Sequence, residues 1–360
     1  MEELERELNR WIPPSSNESE EEEKETTKRT PATEEEYLNA RKYILDLVNM
    51  VDTETAKFTL GILSTTKDEQ VVALCRDFKR PLERYAEAIR GIARFTRTRT
   101  LREYVLNEAR QLLHATIALV KHALNATKDS IEPSIAGHIF ACCKKHINIP
   151  KTDKIAVKRA VFKATLLIKD TADEFAECLH EAEETNDGEE DSIAFLGDDM
   201  FGGGDDDDDE DMTDAERTVV AAAVGLLRRC QRLCKACANS MTMLSSKPSE
   251  SVSRAIDRIA TETTTVAARV TDLGCGLYTP IERSGCRDIR KGTDAVVRCV
   301  AEIETNLLVL PPLRTPEQRT AVKKIADGLR TQANVLLSCD LLKGATEEDT
   351  DAAAAAVVEK

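Results

Sequence analysis

The chain has 360 residues, which suggests about two domains, and 41% of them are hydrophobic, enough for substantial cores. Only 4% are aromatic, and aliphatic cores of that kind favour helices over sheets. The formal net charge is −15, but residues 181–214 alone hold seventeen Asp or Glu and no Lys or Arg. The acidity is therefore local, and such a self-repelling run is not expected to fold alone.

Eleven cysteines could indicate a disulfide scaffold, but other features of the sequence argue against export. The acidic start, Met1–Arg10, lacks the apolar core of a secretory signal. The apolar run Val219–Leu227 has nine residues, well short of the length that spans a bilayer. We therefore expect reduced thiols and a soluble protein of the cytosol or nucleus.

Five helices are predicted before the acidic run, because apolar residues recur there at spacings of three and four. A capping box, in which a Thr hydroxyl and a Glu carboxylate each accept a backbone N–H, is predicted at Thr33–Glu36 and again at Thr100–Glu103. Pro81 falls inside the second helix and is expected to kink it. The segment 147–150 breaks the chain between the fourth helix and a long fifth one.

Four further helices are predicted after the acidic run by the same spacing. A capping box at Thr213–Glu216 opens the first of them, and Pro248–Ser249 marks the turn to the second. Tyr278–Pro280 ends the second helix, and Pro311–Pro312 ends the third. Thr315 is expected to cap the last helix, with Pro316 at a position where its missing N–H costs nothing.

The sequence thus predicts an all-α protein, with two up-and-down helical bundles of about five plus four helices joined by an acidic disordered insert. Short loops between long helices favour antiparallel neighbours. The layout is similar to that of vinculin- and talin-type bundles, at the level of the fold alone. The predicted limits are 1–32 for a disordered acidic arm, 33–184 for the first bundle, 185–212 for the linker, 213–344 for the second bundle and 345–360 for a frayed tail.

Two groups of residues have the composition of a metal site. Cys230, Cys234 and Cys237 lie on or beside an apolar stripe, so we interpret them as small buried hydrophobic residues. His138, Cys142 and His146 share a helical face, but no acidic partner is obvious nearby to orient the imidazoles. No metal and no cofactor are predicted.

Motifs of catalysis are missing from the sequence. It contains no phosphate-binding glycine loop, no Gly-x-Ser-x-Gly and no His-Glu-x-x-His. Gly274-Cys275-Gly276 lacks the third glycine of a dinucleotide site and has no strand before it. The sequence therefore predicts that the protein is not an enzyme and has no small-molecule substrate.

Residues 76–102 form the basic region of the chain, with nine Lys or Arg against three acids. The region ends in Arg94, Arg97, Arg99 and Arg102. It could be a solvated helix face, a docking face for the acidic insert, or a nucleic-acid site. Only Phe95 interleaves the arginines and the chain is acidic overall, so docking of the insert is preferred to nucleic acid.

Two segments resemble the Grap- and cyclin-D-interacting protein (GCIP) family. The first, His138–Glu184, has a helix end, an Ile149-Pro150 break, a polar start at Asp153-Lys154 and a long helix with the pair Lys169-Asp170 before an acidic insert. In the second, Val270–Leu273 is followed by Leu277–Pro280, which is similar to that family's Asp-Leu…Tyr-x-Pro helix end. The layout agrees over roughly residues 35–340.

The resemblance implies a non-enzymatic, all-helical regulator that binds D-type cyclins, adaptor proteins or helix-loop-helix regulators and restrains cell-cycle progression. It also implies residence in both nucleus and cytoplasm. Members of the family are described as helix-loop-helix proteins without the basic DNA-contacting region. The comparable unit here is 138–184. The break between its two helices is too short and too apolar for a free dimerising helix-loop-helix. The apolar stripes of these helices are therefore better explained as part of the core of the bundle.

Other readings remain open. One is a cytoskeletal or adhesion-type helical adaptor without a cyclin partner, and a weaker one is a metal- or thiol-dependent enzyme.

The acidic insert also contains an apolar island, whose members Phe195, Leu196, Met200 and Phe201 are candidate partner-binding residues. Arg94, Arg97, Arg99 and Arg102 are the candidates of opposite charge. Apolar burial would supply most of the holding energy, since exposed charges attract weakly, and ordering the flanks would oppose it. We therefore interpret the insert as a reversible latch that a partner displaces.

Overall fold

The structure of the protein is a computed structural model. It describes residues 33–64, 68–93, 95–125, 133–186, 212–245, 248–313 and 315–343. Across these ranges, no helix combines the length and the apolarity needed to span a bilayer.

Nine helices of fourteen residues or more make up most of the described chain, and none of the described residues forms a strand. They are α1 (Glu34–Ser64), α2 (Asp68–Ala93), α3 (Arg99–Asn125), α4 (Pro133–His146), α5 (Asp153–Asn186), α6 (Asp214–Thr242), α7 (Glu250–Cys275), α8 (Arg283–Val309) and α9 (Pro316–Leu337), with a 3-10 turn at Pro311–Leu313. The predicted all-α fold is confirmed. The arrangement as two up-and-down bundles and the disordered insert stay predictions.

Three helices begin with reciprocal capping, which the sequence predicts as a box at Thr33 and Thr213 and as a simple cap at Thr315. At α1, the Glu36 N–H donates to Thr33 Oγ1 at 3.2 Å and the Thr33 N–H donates to Glu36 Oε2 at 2.7 Å. The boxes of α6, at Thr213, and of α9, at Thr315, have the same form, and Pro316 opens α9. Each box satisfies backbone N–H groups that a helix start otherwise leaves without partners.

The capping box predicted at Thr100–Glu103 is wrong. Helix α3 begins at Arg99, and its cap is Thr98, whose Oγ1 accepts the Leu101 N–H at 3.2 Å. Glu103 forms an ion pair with Arg99 at 2.6 Å.

The carboxylate that completes this cap comes from another helix. Asp153 Oδ1 accepts both the Thr98 N–H, at 2.9 Å, and the Thr98 hydroxyl, at 2.6 Å. Asp153 lies 55 residues away, in the first turn of α5, so it takes the place that an acid at the third helical position normally fills. The start of α3 is therefore fixed by a long-range contact.

Backbone contacts divide the chain into two compact units, with the boundary between Val157 and Lys158 inside α5. The predicted limits, which put all of α5 in the first bundle, stay predictions.

The first unit has a core built from α1 to α4. Phe58 and Phe78 stack in it with ring centroids 4.9 Å apart, and both are nearly inaccessible to solvent. Pro81 lies inside α2, as predicted. The break after α4 is tied to α1 because Tyr37 donates its hydroxyl hydrogen to the Pro150 carbonyl at 2.7 Å, and Arg41 donates to the Ile149 carbonyl at 2.9 Å.

The second unit contains α6 to α9 and most of α5. Two glycines allow the end of α7 to cross the start of α8 closely. A Cβ on Gly276 would lie 2.8 Å from the Gly285 carbonyl oxygen, and a Cβ on Gly285 would lie 2.8 Å from the Gly276 oxygen. Gly276 has an ordinary helical φ of −84°, so its backbone conformation would be open to any residue. Glycine is required here because there is no room for a side chain. Close packing therefore accounts for the second glycine of the Gly274-Cys275-Gly276 sequence.

Candidate interaction surfaces

The predicted arginine surface lies at the start of α3 and is partly engaged within the first unit. Arg97 is exposed, and Arg99 is paired with Glu103. Arg102 is half-buried, and its Nε has no hydrogen-bond partner among the described residues. Arg97 and Arg99 thus remain accessible beside the Thr98 cap, whereas Arg102 is drawn partly into the protein.

The remaining predicted partner-binding residues cannot be placed. Arg94 and the island residues Phe195, Leu196, Met200 and Phe201 lie outside the described residues. Their role in partner binding, and the latch built on them, stay predictions.

A groove that the sequence analysis did not identify lies between α5 and α6 in the second unit. Its volume is about 390 Å³, comparable to small ligand and side-chain pockets. Phe162 and Leu166 form its apolar floor on α5, although 58% and 43% of these residues are exposed to solvent. Both lie off the buried stripe of α5, which is made by Val161, Ala164, Ile168, Ala172 and Phe175. We call this feature the α5–α6 groove.

The two walls of the groove run antiparallel. Thr165 on α5 lies beside the Cys234 thiol of α6, and its hydroxyl donates to the Val161 carbonyl at 2.7 Å. Ten residues further along α5, Phe175 packs against Tyr278 with ring centroids 5.3 Å apart. The Ile281 N–H, three residues later, donates to Glu216 at the start of α6, at 2.6 Å. The later part of α5 therefore lies beside the beginning of α6.

Tyr278 fixes this later part of α5. Its hydroxyl donates to Glu174 Oε1 at 2.5 Å, and this hydrogen bond is the main cause of the raised pKa of Tyr278. Gly274 in the last turn of α7 also approaches α5, since a Cβ there would lie 3.2 Å from Thr171 Cγ2. The Tyr-x-Pro segment singled out in the sequence thus holds α5 in the second unit.

The cysteines of α6 are packing residues. Cys230, Cys234 and Cys237 are at most 1% exposed. Burial raises the pKa of the Cys234 thiol to about 12 and that of Cys237 well above its ordinary value, so both are protonated at neutral pH. A protonated, buried thiol behaves as a small apolar side chain.

The histidine cluster of α4 is also divided by the fold. His138 is exposed, whereas His146 is fully buried and both of its ring nitrogens have partners. No group of three or more His, Cys, Asp or Glu in the described ranges is arranged to hold a metal ion.

These observations define a class of protein: an all-helical chain whose described part offers an exposed groove and a charged helix start, with the α6 thiols and His146 buried in its interior.

The family follows from comparison with known proteins. Residues 44–181 match the family model described as "Grap2 and cyclin-D-interacting, N-terminal". This stretch runs from α1 to near the end of α5, and it confirms the family resemblance noted for the segment that begins at His138. The second resembling segment, 270–280, lies outside the matched residues. No curated protein matches the chain.

Proposed function

We propose that this chain is a non-enzymatic regulator that acts by binding a D-type cyclin, and that it works in both cytoplasm and nucleus. The observation that carries the proposal is the family match over residues 44–181, because that domain is named for its interaction with cyclin D. The all-helical fold supports it, since amphipathic helices and the grooves between them are a common means of binding other helical proteins.

The test is a binding measurement between the full-length purified chain and a purified D-type cyclin, alone and with its kinase. The proposal expects saturable binding at a 1:1 ratio that survives physiological salt. Binding that is present at low salt but lost at physiological salt would show only non-specific charge attraction. The absence of binding at micromolar concentrations would contradict the proposed function.

An adaptor function without a cyclin partner is the second candidate. Its support is the length of the helices, from 26 to 34 residues for α1, α2, α3 and α5 to α8, arranged in two compact units. Proteins built in this way serve as scaffolds, although fold alone does not define a function. Affinity purification of the chain from cells, followed by mass spectrometry, separates the two candidates by whether cyclins or cytoskeletal proteins are enriched.

A further inference from the structure

The α5–α6 groove is basic on both walls. On α5, no Asp or Glu occurs from Lys154 to Lys169, a stretch that holds four lysines and one arginine. On α6, none occurs from Arg217 to the end of the helix at Thr242, a stretch that holds four arginines and one lysine. The charged residues that line the groove itself are all lysines, in a chain whose net charge is −15. The groove is therefore a local positive surface that attracts an acidic partner.

Three lysines surround the apolar floor of the groove: Lys158, Lys169 and Lys235. Lys169 is paired with Asp173 at 2.6 Å, and both side chains are about half exposed. An ion pair this exposed is weak and exchanges readily for a pair with an incoming carboxylate. The lysines can therefore receive acidic side chains at the rim while Phe162 and Leu166 receive apolar ones at the centre.

We propose that the α5–α6 groove binds an amphipathic helix of a partner protein, with an apolar stripe facing Phe162 and Leu166 and with Asp or Glu on both sides of that stripe. Phe162 and Leu166 are four residues apart, which is the spacing at which one helix meets another side by side. An aromatic side chain at the centre of a charged rim is the usual form of an interaction hot spot. The inference rests on one part of the proposed function, namely that the chain acts by binding another protein.

The chain's own acidic insert is a poorer occupant. Helix α5 ends at Asn186, so the nearest groove residue on it, Lys169, lies about 26 Å back along the helix. Phe201, the last residue of the apolar island, is fifteen residues beyond Asn186 and can span about 50 Å when extended, so distance alone does not exclude the insert. The insert would, however, lose conformational entropy when its acidic and glycine-rich flanks become ordered, a cost that an already helical partner does not meet.

The experiment uses two fluorescent designed helices of about 18 residues, one with a leucine stripe flanked by Glu and one with the same stripe flanked by Lys. Binding to the full-length chain is followed by fluorescence anisotropy. We expect the acidic helix to bind and the basic one to bind at least about tenfold more weakly. The Phe162→Ser and Leu166→Ser variants should each lower the affinity for the acidic helix about tenfold.

Leu167→Ser is the matched control, because Leu167 is on the same helix, is 45% exposed and does not line the groove. Lys163→Glu is the corresponding control for Lys158→Glu and Lys235→Glu, which should weaken binding of the acidic helix and strengthen binding of the basic one. Circular dichroism checks that each variant keeps its helices.

The proposal is overturned if the acidic helix does not bind, or if it binds equally well to Leu166→Ser and Leu167→Ser. It is also overturned if a peptide of residues 187–211 competes for the groove more strongly than the designed helix, since the occupant would then be the chain's own insert. A failure to bind D-type cyclin contradicts the proposed function and leaves the peptide result unchanged, so the two failures are distinguishable.

Discussion

Tyr85 and His146 form a hydrogen bond in the centre of the first unit, with 2.5 Å between the Tyr85 oxygen and His146 Nε2. The other imidazole nitrogen, Nδ1, is 2.9 Å from the Cys142 carbonyl, which can only accept, so Nδ1 carries the hydrogen. Burial lowers the pKa of His146, so the ring is neutral at pH 7 and its Nε2 accepts the hydrogen of the Tyr85 hydroxyl. Both residues are fully buried.

Replacing Tyr85 by Phe should lower the free energy of unfolding by about 1–3 kcal/mol, because Nε2 of His146 would then be buried without a partner. The ring and its packing are kept, so the loss reports the hydrogen bond. Urea unfolding of the full chain measures it. Tyr43→Phe is the control, since Tyr43 is 53% exposed and should change stability little. A Tyr85→Phe variant as stable as wild type would show that the hydrogen bond contributes nothing.

The same pair makes stability depend on pH. Burial lowers the pKa of His146 below its ordinary value of 6.5. Between that lowered pKa and 6.5, the unfolded chain binds more protons than the folded one, so stability falls as the pH drops below about 6.5. Above 6.5 this residue causes no change. Unfolding at pH 7.5 and 5.5 should show a larger loss for wild type than for His146→Gln, and equal losses would assign the pH dependence to other groups.

The sequence is most informative where the deciding contact is local. Thr33 and Thr213 are predicted as caps because the Glu that completes each box lies three positions away. Thr315 is predicted as a cap from the proline that follows it, and the structure adds Gln318 as the residue that completes a box. Thr98 is missed because its carboxylate partner is Asp153, and that proximity exists only after folding.

The α5–α6 groove is missed for a related reason. Periodicity identifies the stripe that a helix buries, and Phe162 and Leu166 lie off that stripe. Their importance depends on which residues of α6 lie opposite them. The spacing of residues along one helix carries no information about its neighbour. The acid-free stretches from Lys154 and Arg217 onward were visible in the sequence and were the available signal.

The position of the α3 cap can be tested directly. Thr98→Ala should lower the free energy of unfolding by about 1 kcal/mol, the usual cost of losing an N-cap hydroxyl. Its loss also removes one of the two hydrogen bonds that Asp153 accepts. Thr100→Ala, in the first turn of the same helix, should cost less. Chemical denaturation of both variants gives the comparison, and a larger effect at Thr100 would restore the predicted Thr100–Glu103 box.

The thiols should separate into one fast-reacting group and a protected majority. Cys275 is exposed, Cys178 is half-buried and the other nine cysteines are buried. A thiol reagent added to the folded protein should modify Cys275 first, and Cys275→Ser should abolish that fast phase. Labelling of the α6 cysteines on the same timescale would mean that the helix opens readily.

The α6 cysteines should contribute through packing. The double variant Cys230→Ala/Cys237→Ala should lower the free energy of unfolding by about 1–3 kcal/mol, because two buried sulfur atoms leave cavities. Metal analysis of the purified protein provides the contrast. Stoichiometric zinc that is lost in the double variant would contradict a packing role.

The crossing of α7 and α8 should tolerate no side chain at either glycine. A methyl group on Gly276 or Gly285 would meet a backbone oxygen 2.8 Å away, and backbone cannot move aside as a flexible side chain can. Gly276→Ala and Gly285→Ala should each lower the free energy of unfolding by about 1–3 kcal/mol through overpacking.

Gly91→Ala and Gly137→Ala are the matched controls, since a Cβ at either helical position meets nothing within 4 Å. These controls should raise stability by about 0.5–1 kcal/mol, the helix-propensity gain of Ala over Gly. Urea unfolding should therefore show a lower free energy of unfolding for the Gly276 and Gly285 variants and a higher one for the two controls. A higher free energy of unfolding for all four variants would show that α7 and α8 do not cross this closely.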